Sequence, residues 1–117
     1  MFANMKSLIA LELEGNVLSG AIPDSIGELE NLQFFQCNSN RDFVNGAGGI
    51  EGPLPTTLGN LKKLTVFACR TNLIDGEIPT EYGGMESLQT FDLEFNLVRN
   101  TRFSVLRCAL RVRNAHG

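Results

Sequence analysis

Few residues in this chain could do covalent or acid–base chemistry. It has one histidine, His116, beside the terminus, three cysteines (Cys37, Cys69 and Cys108) and thirteen carboxylates. A terminal histidine with no nucleophile spaced to meet it does not make a proton relay, and no nucleophile elbow, kinase signature or His-Glu-x-x-His run is present. The carboxylates Glu12, Glu14, Asp92 and Glu94 could in principle pair for acid–base work. They fall, however, on positions that read as outward, where charged side chains are normally just solvated. No Cys-x-x-Cys or Cys/His cluster offers a metal ligand set. Gly46-Ala47-Gly48-Gly49 is glycine-rich but lacks the Gly-Lys-Ser/Thr and helix of a phosphate loop. The expectation is a non-catalytic chain with no metal and no cofactor.

What positions these residues is a repeat. Leu64, Phe67, Cys69, Asn72, Ile74, Gly76, Ile78, Pro79, Tyr82, Gly83 and Met85 recur as Leu8, Leu11, Leu13, Asn16, Leu18, Gly20, Ile22, Pro23, Ile26, Gly27 and Leu29. A copy from Leu88 runs through Phe91, Leu93, Asn96 and Val98. The copy from Leu32 runs through Phe35, Cys37 and Asn40, breaks, and resumes at Ile50, Gly52, Leu54, Pro55, Leu58, Gly59 and Leu61. The steps are 24, 32 and 24 residues, so the second copy carries eight extra residues, around 41–49. A fixed period in this range means stacked coils.

The alternation within each copy predicts one short strand per repeat with one face buried. Stacking makes these strands parallel and lines up the inward columns Leu11/Phe35/Phe67/Phe91 and Leu13/Cys37/Cys69/Leu93, which no single repeat could bury alone. Asn16, Asn40, Asn72 and Asn96 follow each strand, where an inward amide can satisfy backbone groups left without ladder partners. Gly20, Gly52 and Gly76 suit positive φ or close approach, and Pro23, Pro55 and Pro79 fix φ without needing a donor.

With three Gly-x-Ile/Leu-Pro units in phase, the pattern resembles the plant-type class of the leucine-rich repeat family, LxxLxLxxNxLxGxIPxxLGxLxx, over Phe2 to Val98. The resemblance implies an α/β solenoid: a right-handed coil with short parallel strands on its concave face and an irregular, 3-10-rich convex side. The expected organisation is a solenoid over 1–98, with about four repeats starting at 8, 32, 64 and 88, and a basic non-repeat tail over 99–117. Phe2, Met5 and Leu8 superimpose on Ile26, Leu29 and Leu32, so the chain is expected to open within a repeat, as a piece of a longer protein. No signal peptide is visible.

In this family the outward residues of the strands commonly bind the ligand. Carried over by register, the expected ligand face is Glu12, Glu14, Phe34, Gln36, Asn38, Arg70, Thr71, Asp92, Glu94 and Phe95. Phe34 and Phe95 would be exposed aromatic anchors. Arg70 has a second reading, as a local salt-bridge partner of the acids on neighbouring coils. The implied partner is a protein, peptide or glycan, and the implied location extracellular or at the cell surface, in a receptor-like protein or a secreted inhibitor. The alternatives are an ectodomain piece of a receptor-like kinase and an intracellular scaffold.

Charge adds limits. Residues 1–98 hold all thirteen acids and five bases, a net −8, whereas the tail has five arginines and no acid. An acidic body argues against nucleic acid as the partner. Within the tail, Phe103, Leu106 and Leu110 recur at helical spacing, which predicts an amphipathic cap over the last coil. A basic membrane-surface helix and aberrant sequence are the other readings. No 18-residue apolar stretch exists, so a membrane is contacted only through segments outside this chain.

Cys37 and Cys69 sit at equivalent positions of adjacent coils, about 4.8 Å apart, which is within disulfide reach. Parallel neighbours in register seldom orient for the bond, so two reduced core cysteines are expected. Reduced cysteines, and the lack of any Asn-x-Ser/Thr acceptor, point toward the intracellular alternative. The inserted residues read as a solvated loop, or as a recognition loop presenting Arg41 and Phe43.

Overall fold

The computed structural model describes residues 5–98 and the backbone of Ala109–Arg111. In chain order its strands are β1 (Ala10–Glu12), β2 (Ser19–Gly20), β3 (Phe34–Gln36), β4 (Arg41–Asp42), β5 (Ala47–Pro53), β6 (Val66–Ala68), β7 (Leu73–Gly76), β8 (Thr90–Asp92), β9 (Leu97–Val98) and β10 (Ala109–Arg111).

The strand of each repeat forms where the alternation predicts it. Strands β1, β3, β6 and β8 stack in parallel with Leu11, Phe35, Phe67 and Phe91 in register, followed by β10 at the far edge. The inward phenylalanines stack face to face, with centroids 5.2 Å apart for Phe35–Phe67 and 4.9 Å for Phe67–Phe91. Leu32, Leu64, Leu29 and Leu61 are fully buried in the same core, which is built between coils and not within them.

Each repeat also supplies a second strand, which the one-strand-per-repeat expectation missed. β2, β5, β7 and β9 form another parallel sheet. These strands are two to seven residues long. Most are too short to show a period, and their ladder exists only because neighbouring coils stack.

The opposite side is made of 3-10 turns at Asp24–Glu28, Thr56–Asn60 and Thr80–Gly84, each opened by the repeat's proline, with φ −74°, −71° and −60°. The glycines of the motif separate into two roles. Gly20, Gly52 and Gly76 take φ of 85°, 80° and 76°, as their position predicts. Gly59 is a close approach instead, because a Cβ there would meet the backbone oxygen of Glu81 at 2.7 Å. Tyr82, under the third turn, is buried and donates its hydroxyl to the Pro55 carbonyl at 2.6 Å. Desolvation, with the nearby Glu81 charge, holds that hydroxyl neutral.

Three expectations are corrected. The inserted residues are no loose loop: β4 pairs antiparallel with the start of β5, Arg41 opposite Gly48 and Asp42 opposite Ala47, making a hairpin. The tail is not helical at Leu110, which lies in β10 opposite Phe91, so 109–111 add a fifth strand to the first sheet. Phe103 and Leu106 lie outside the described residues. Finally, Cys37 and Cys69 are disulfide-bonded, with Cα atoms 4.6 Å apart. Both side chains point from the ends of adjacent strands into the same fully buried column, so the ladder brings them within the Cα range that a disulfide spans. Under denaturing, non-reducing conditions these two cysteines are therefore expected to resist thiol alkylation and to become labelled after reduction. Peptide mapping by mass spectrometry checks this, and labelling of both before reduction would show the pair reduced.

Candidate functional site

The outward positions of the first sheet form rows across the coils. Strand register places Ala10, Phe34, Val66 and Thr90 in one row and Glu12, Gln36, Ala68 and Asp92 in the next. The ladder runs on past the strands: Gly15 donates to the Asn38 carbonyl (3.0 Å), Ser39 to Arg70 (2.7 Å) and Thr71 to Glu94 (3.0 Å). A third row, Glu14, Asn38, Arg70 and Glu94, therefore follows in the same register. The face changes along the strands from mostly apolar to charged.

The third row is internally linked. Asn38 donates to the Glu14 carboxylate at 3.2 Å and accepts the Arg70 backbone N–H at 2.8 Å. The Arg70 guanidinium lies 3.5 Å from Asp92 and 3.6 Å from Glu94, so its second reading, as a partner of neighbouring acids, is the one realised. Asp92 is buried behind that pair and accepts the Glu94 backbone N–H at 3.0 Å. Glu12 and Phe34 are exposed, while Gln36 and Glu94 are half-buried.

Thr71 and Phe95 are placed differently from the expectation. With Ser39 they have φ between 57° and 61°, in the left-handed region, and Gly15 does the same at 68°. The chain turns off the strand direction there, one residue before each asparagine, so Phe95 is half-buried in the turn and is no exposed anchor. Such a backbone is costly for a β-branched or aromatic residue. It is held by the bonds that Thr71 and Phe95 make to the next and preceding coils. Alternation alone had no means of showing where the strand stops.

Those bonds lead into the asparagine ladder. Asn40, Asn72 and Asn96 are fully buried. Asn72 accepts the Ile50 N–H (3.0 Å) and donates to the carbonyls of Cys37 (2.9 Å), Cys69 (3.3 Å) and Arg70 (3.0 Å). Asn40 and Asn96 repeat this arrangement, with Asn96 accepting from Ile74 at 2.9 Å. Each side chain ties one coil to the coil before it.

Beside this face stands the hairpin. Arg41 is not presented to solvent, because its guanidinium turns back to the carbonyls of Gly46 (3.1 Å) and Gly48 (3.0 Å). The Asp42 carboxylate accepts the backbone N–H groups of Val44 and Asn45 and the Asn45 side-chain amide. The Asn45 side chain foremost holds the Asp42 carboxyl below its ordinary value. Among the described residues, no three His, Cys, Asp or Glu side chains converge as a metal site and no helix is long and apolar enough to cross a membrane.

No protein-family model matches the chain, and no curated protein does. Solved structures do. The chain is 33% identical to the plant peptide hormone receptor RGFR1, solved in complex with RGF2, over 83% of this chain and 14% of that one, with a TM-score of 0.74. It superimposes on PEPR1 in the PEPR1–AtPEP1 structure with a TM-score of 0.81 and 28% identity, over 97% of this chain and 15% of that one. The chain belongs to the plant-type leucine-rich repeat class. The leucine-rich repeat chain also matches the BIR3–SERK2 complex from Arabidopsis thaliana at 29% identity and a TM-score of 0.71, over 86% of its own length and 50% of that chain. It thus spans about one seventh of the two receptors.

Proposed function

We propose that the outer face of the first sheet is a ligand-recognition surface for an extended peptide or protein segment. The module would be a non-catalytic part of an extracellular or cell-surface receptor-like protein. The observation that carries this is the alignment of three outward rows across four coils, apolar at Phe34 and Val66 and charged at Glu12, Glu14, Arg70 and Glu94. A segment lying across the strands would meet one residue of each row per coil. The matched structures support the class of partner, being complexes of RGFR1 with RGF2, PEPR1 with AtPEP1 and BIR3 with SERK2. Their share of this chain's pattern also supports the location. The disulfide between Cys37 and Cys69 removes the argument from reduced cysteines for an intracellular scaffold. A receptor-kinase ectodomain remains the second reading, supported by the match to the ectodomain of the plant membrane receptor kinase GASSHO1/SCHENGEN3 at 31% identity.

The face also constrains its ligand. Its one cation among the described rows, Arg70, is already engaged by two carboxylates, whereas Glu12 is exposed and unpaired among the described residues. The ligand is therefore expected to present lysine or arginine beside an apolar side chain seated on Phe34. The test is a panel of immobilised peptides, lysine-rich, neutral and acidic, probed with the purified chain and with a Glu12→Lys/Phe34→Ala variant. Capture of lysine-rich peptides that falls by about tenfold or more in the variant, roughly 1.4 kcal/mol, is the expected result. Equal capture by a variant with an unchanged circular dichroism spectrum would remove this face from consideration.

A further inference from the structure

The turn of the hairpin holds a chemically labile bond. Asn45 is followed by Gly46, and this is the one Asn-Gly pair in the chain. Asparagine is among the less durable side chains, and a following glycine has no Cβ to hinder attack by its own nitrogen on the amide. The surroundings leave room for that attack. Asn45 and Gly46 are both exposed, and a Cβ at Gly46 would meet nothing nearer than the Arg41 Nη2 at 4.0 Å.

Both reacting groups are nonetheless tied to Asp42. The Gly46 N–H, on the attacking nitrogen, donates to the Asp42 carbonyl at 2.7 Å, and the Asn45 side-chain amide, the leaving group, donates to the Asp42 carboxylate at 2.8 Å. The same carboxylate accepts the Val44 and Asn45 backbone N–H groups at 3.0 Å and 3.1 Å. Attack requires the first of these bonds to break and the side chain to turn away from the second, so it proceeds from an opened hairpin. That opening is local, because Phe43 and Val44 at the tip are 52% and 93% exposed and leave the core as it was.

We propose that Asn45 is a site of spontaneous deamidation whose rate is set by the Asp42 clasp, and that conversion releases the hairpin for good. The Gly46 nitrogen gives its proton to water and bonds to the Asn45 side-chain carbonyl carbon. The bond from that carbon to the amide nitrogen breaks, and the nitrogen leaves as ammonia with a proton returned from water. Water then opens the cyclic imide, so one water is consumed, one ammonia is released and a carboxylate is left at position 45. This carboxylate has no proton to give Asp42 and carries the same charge. It replaces the donor that foremost holds the Asp42 carboxyl below its ordinary value. An attraction that fixed the turn becomes a repulsion that opens it. The proposal does not depend on the ligand face.

Timed incubation of the full chain at neutral pH, with the change from amide to acid at Asn45 followed by peptide mapping, tests it. The folded wild type is expected to convert at Asn45, several-fold more slowly than the same chain held unfolded in denaturant. Asp42→Ala, which removes the carboxylate and keeps the backbone carbonyl, is expected to convert about fivefold faster than the folded wild type. Thermal melts followed by circular dichroism establish that this variant is folded. If it is not, Asp42→Asn, which keeps one acceptor oxygen without the charge, provides the same comparison. Asn45→Asp stands in for the converted chain, and its amide exchange is expected to quicken about fivefold at Val44 and Gly46 while β6 exchanges as in the wild type. A folded wild type that keeps Asn45 intact while the unfolded chain is consumed overturns the proposal. So does a folded Asp42 variant that converts no faster than the wild type, or an Asn45→Asp chain whose exchange at Val44 and Gly46 is unchanged.

Discussion

Asn72→Ala is expected to destabilise the chain by about 3 kcal/mol, although it removes no apolar surface of consequence. The cost has a specific origin. The Asn72 amide is the acceptor for the buried Ile50 N–H, and without it that donor loses its partner. The three carbonyls it serves lose less, since Cys37, Cys69 and Arg70 also accept from Asn40, Asn96 and Ser39. An orphaned buried donor costs about 1–3 kcal/mol, and the lost hydrogen bonds and the void left by the side chain add to it. Chemical denaturation of wild type and variant measures the difference. Asn16→Ala is the control, because Asn16 is exposed and donates only to the Glu14 carbonyl, so a change within about 0.5 kcal/mol is expected there. Equal effects at the two positions would mean that the asparagines act only as local turn formers.

Asn72→Asp sharpens the same argument through pH. An ionised carboxylate can accept from Ile50 but faces three carbonyls to which it has no proton to give. Burial among acceptors raises its folded-state pKa above the unfolded value, so the folded state binds the extra proton. Stability of this variant is then expected to rise, relative to wild type, as pH is lowered from neutral toward the ordinary carboxylate range, and to fall as pH rises.

The second large effect is at Phe67. This ring is fully buried and stacks on Phe35 on one side and Phe91 on the other, with interplanar angles of 6° and 17°. Phe67→Ala is expected to cost about 4 kcal/mol, while Phe67→Leu, which keeps most of the volume, should cost less than about 1.5 kcal/mol. Because coils contact only their neighbours, the loss should be felt on both sides of the missing ring. Amide exchange is expected to quicken in β3 and β8 together, and quickening in one alone would argue that the column is not continuous.

Much of this was already present in the sequence. The period, the inward columns and the four asparagines follow from residue types whose spacing is set by the coil, and each was recognisable because the same demand is repeated. Asn40, Asn72 and Asn96 are buried as their phase required, and the outward rows from Ala10 to Glu94 come together as the register predicted. Even the pairing of Arg70 with acids was foreshadowed by the charges on adjoining coils.

The rest was decided between coils. The second sheet has strands as short as two residues, which carry no period of their own and are defined only by the neighbour they pair with. The left-handed turns at Ser39, Thr71 and Phe95 run against the preferences of those residues and are imposed by ladder bonds from adjacent repeats, which is why Phe95 is half-buried. The disulfide depends on how two stacked strands aim Cys37 and Cys69, and β10 on an edge offered by β8. Local sequence determined what each coil must bury; stacking determined what depends on a partner from another coil, because contacts such as those of the asparagines join residues 22 positions apart that no local pattern relates.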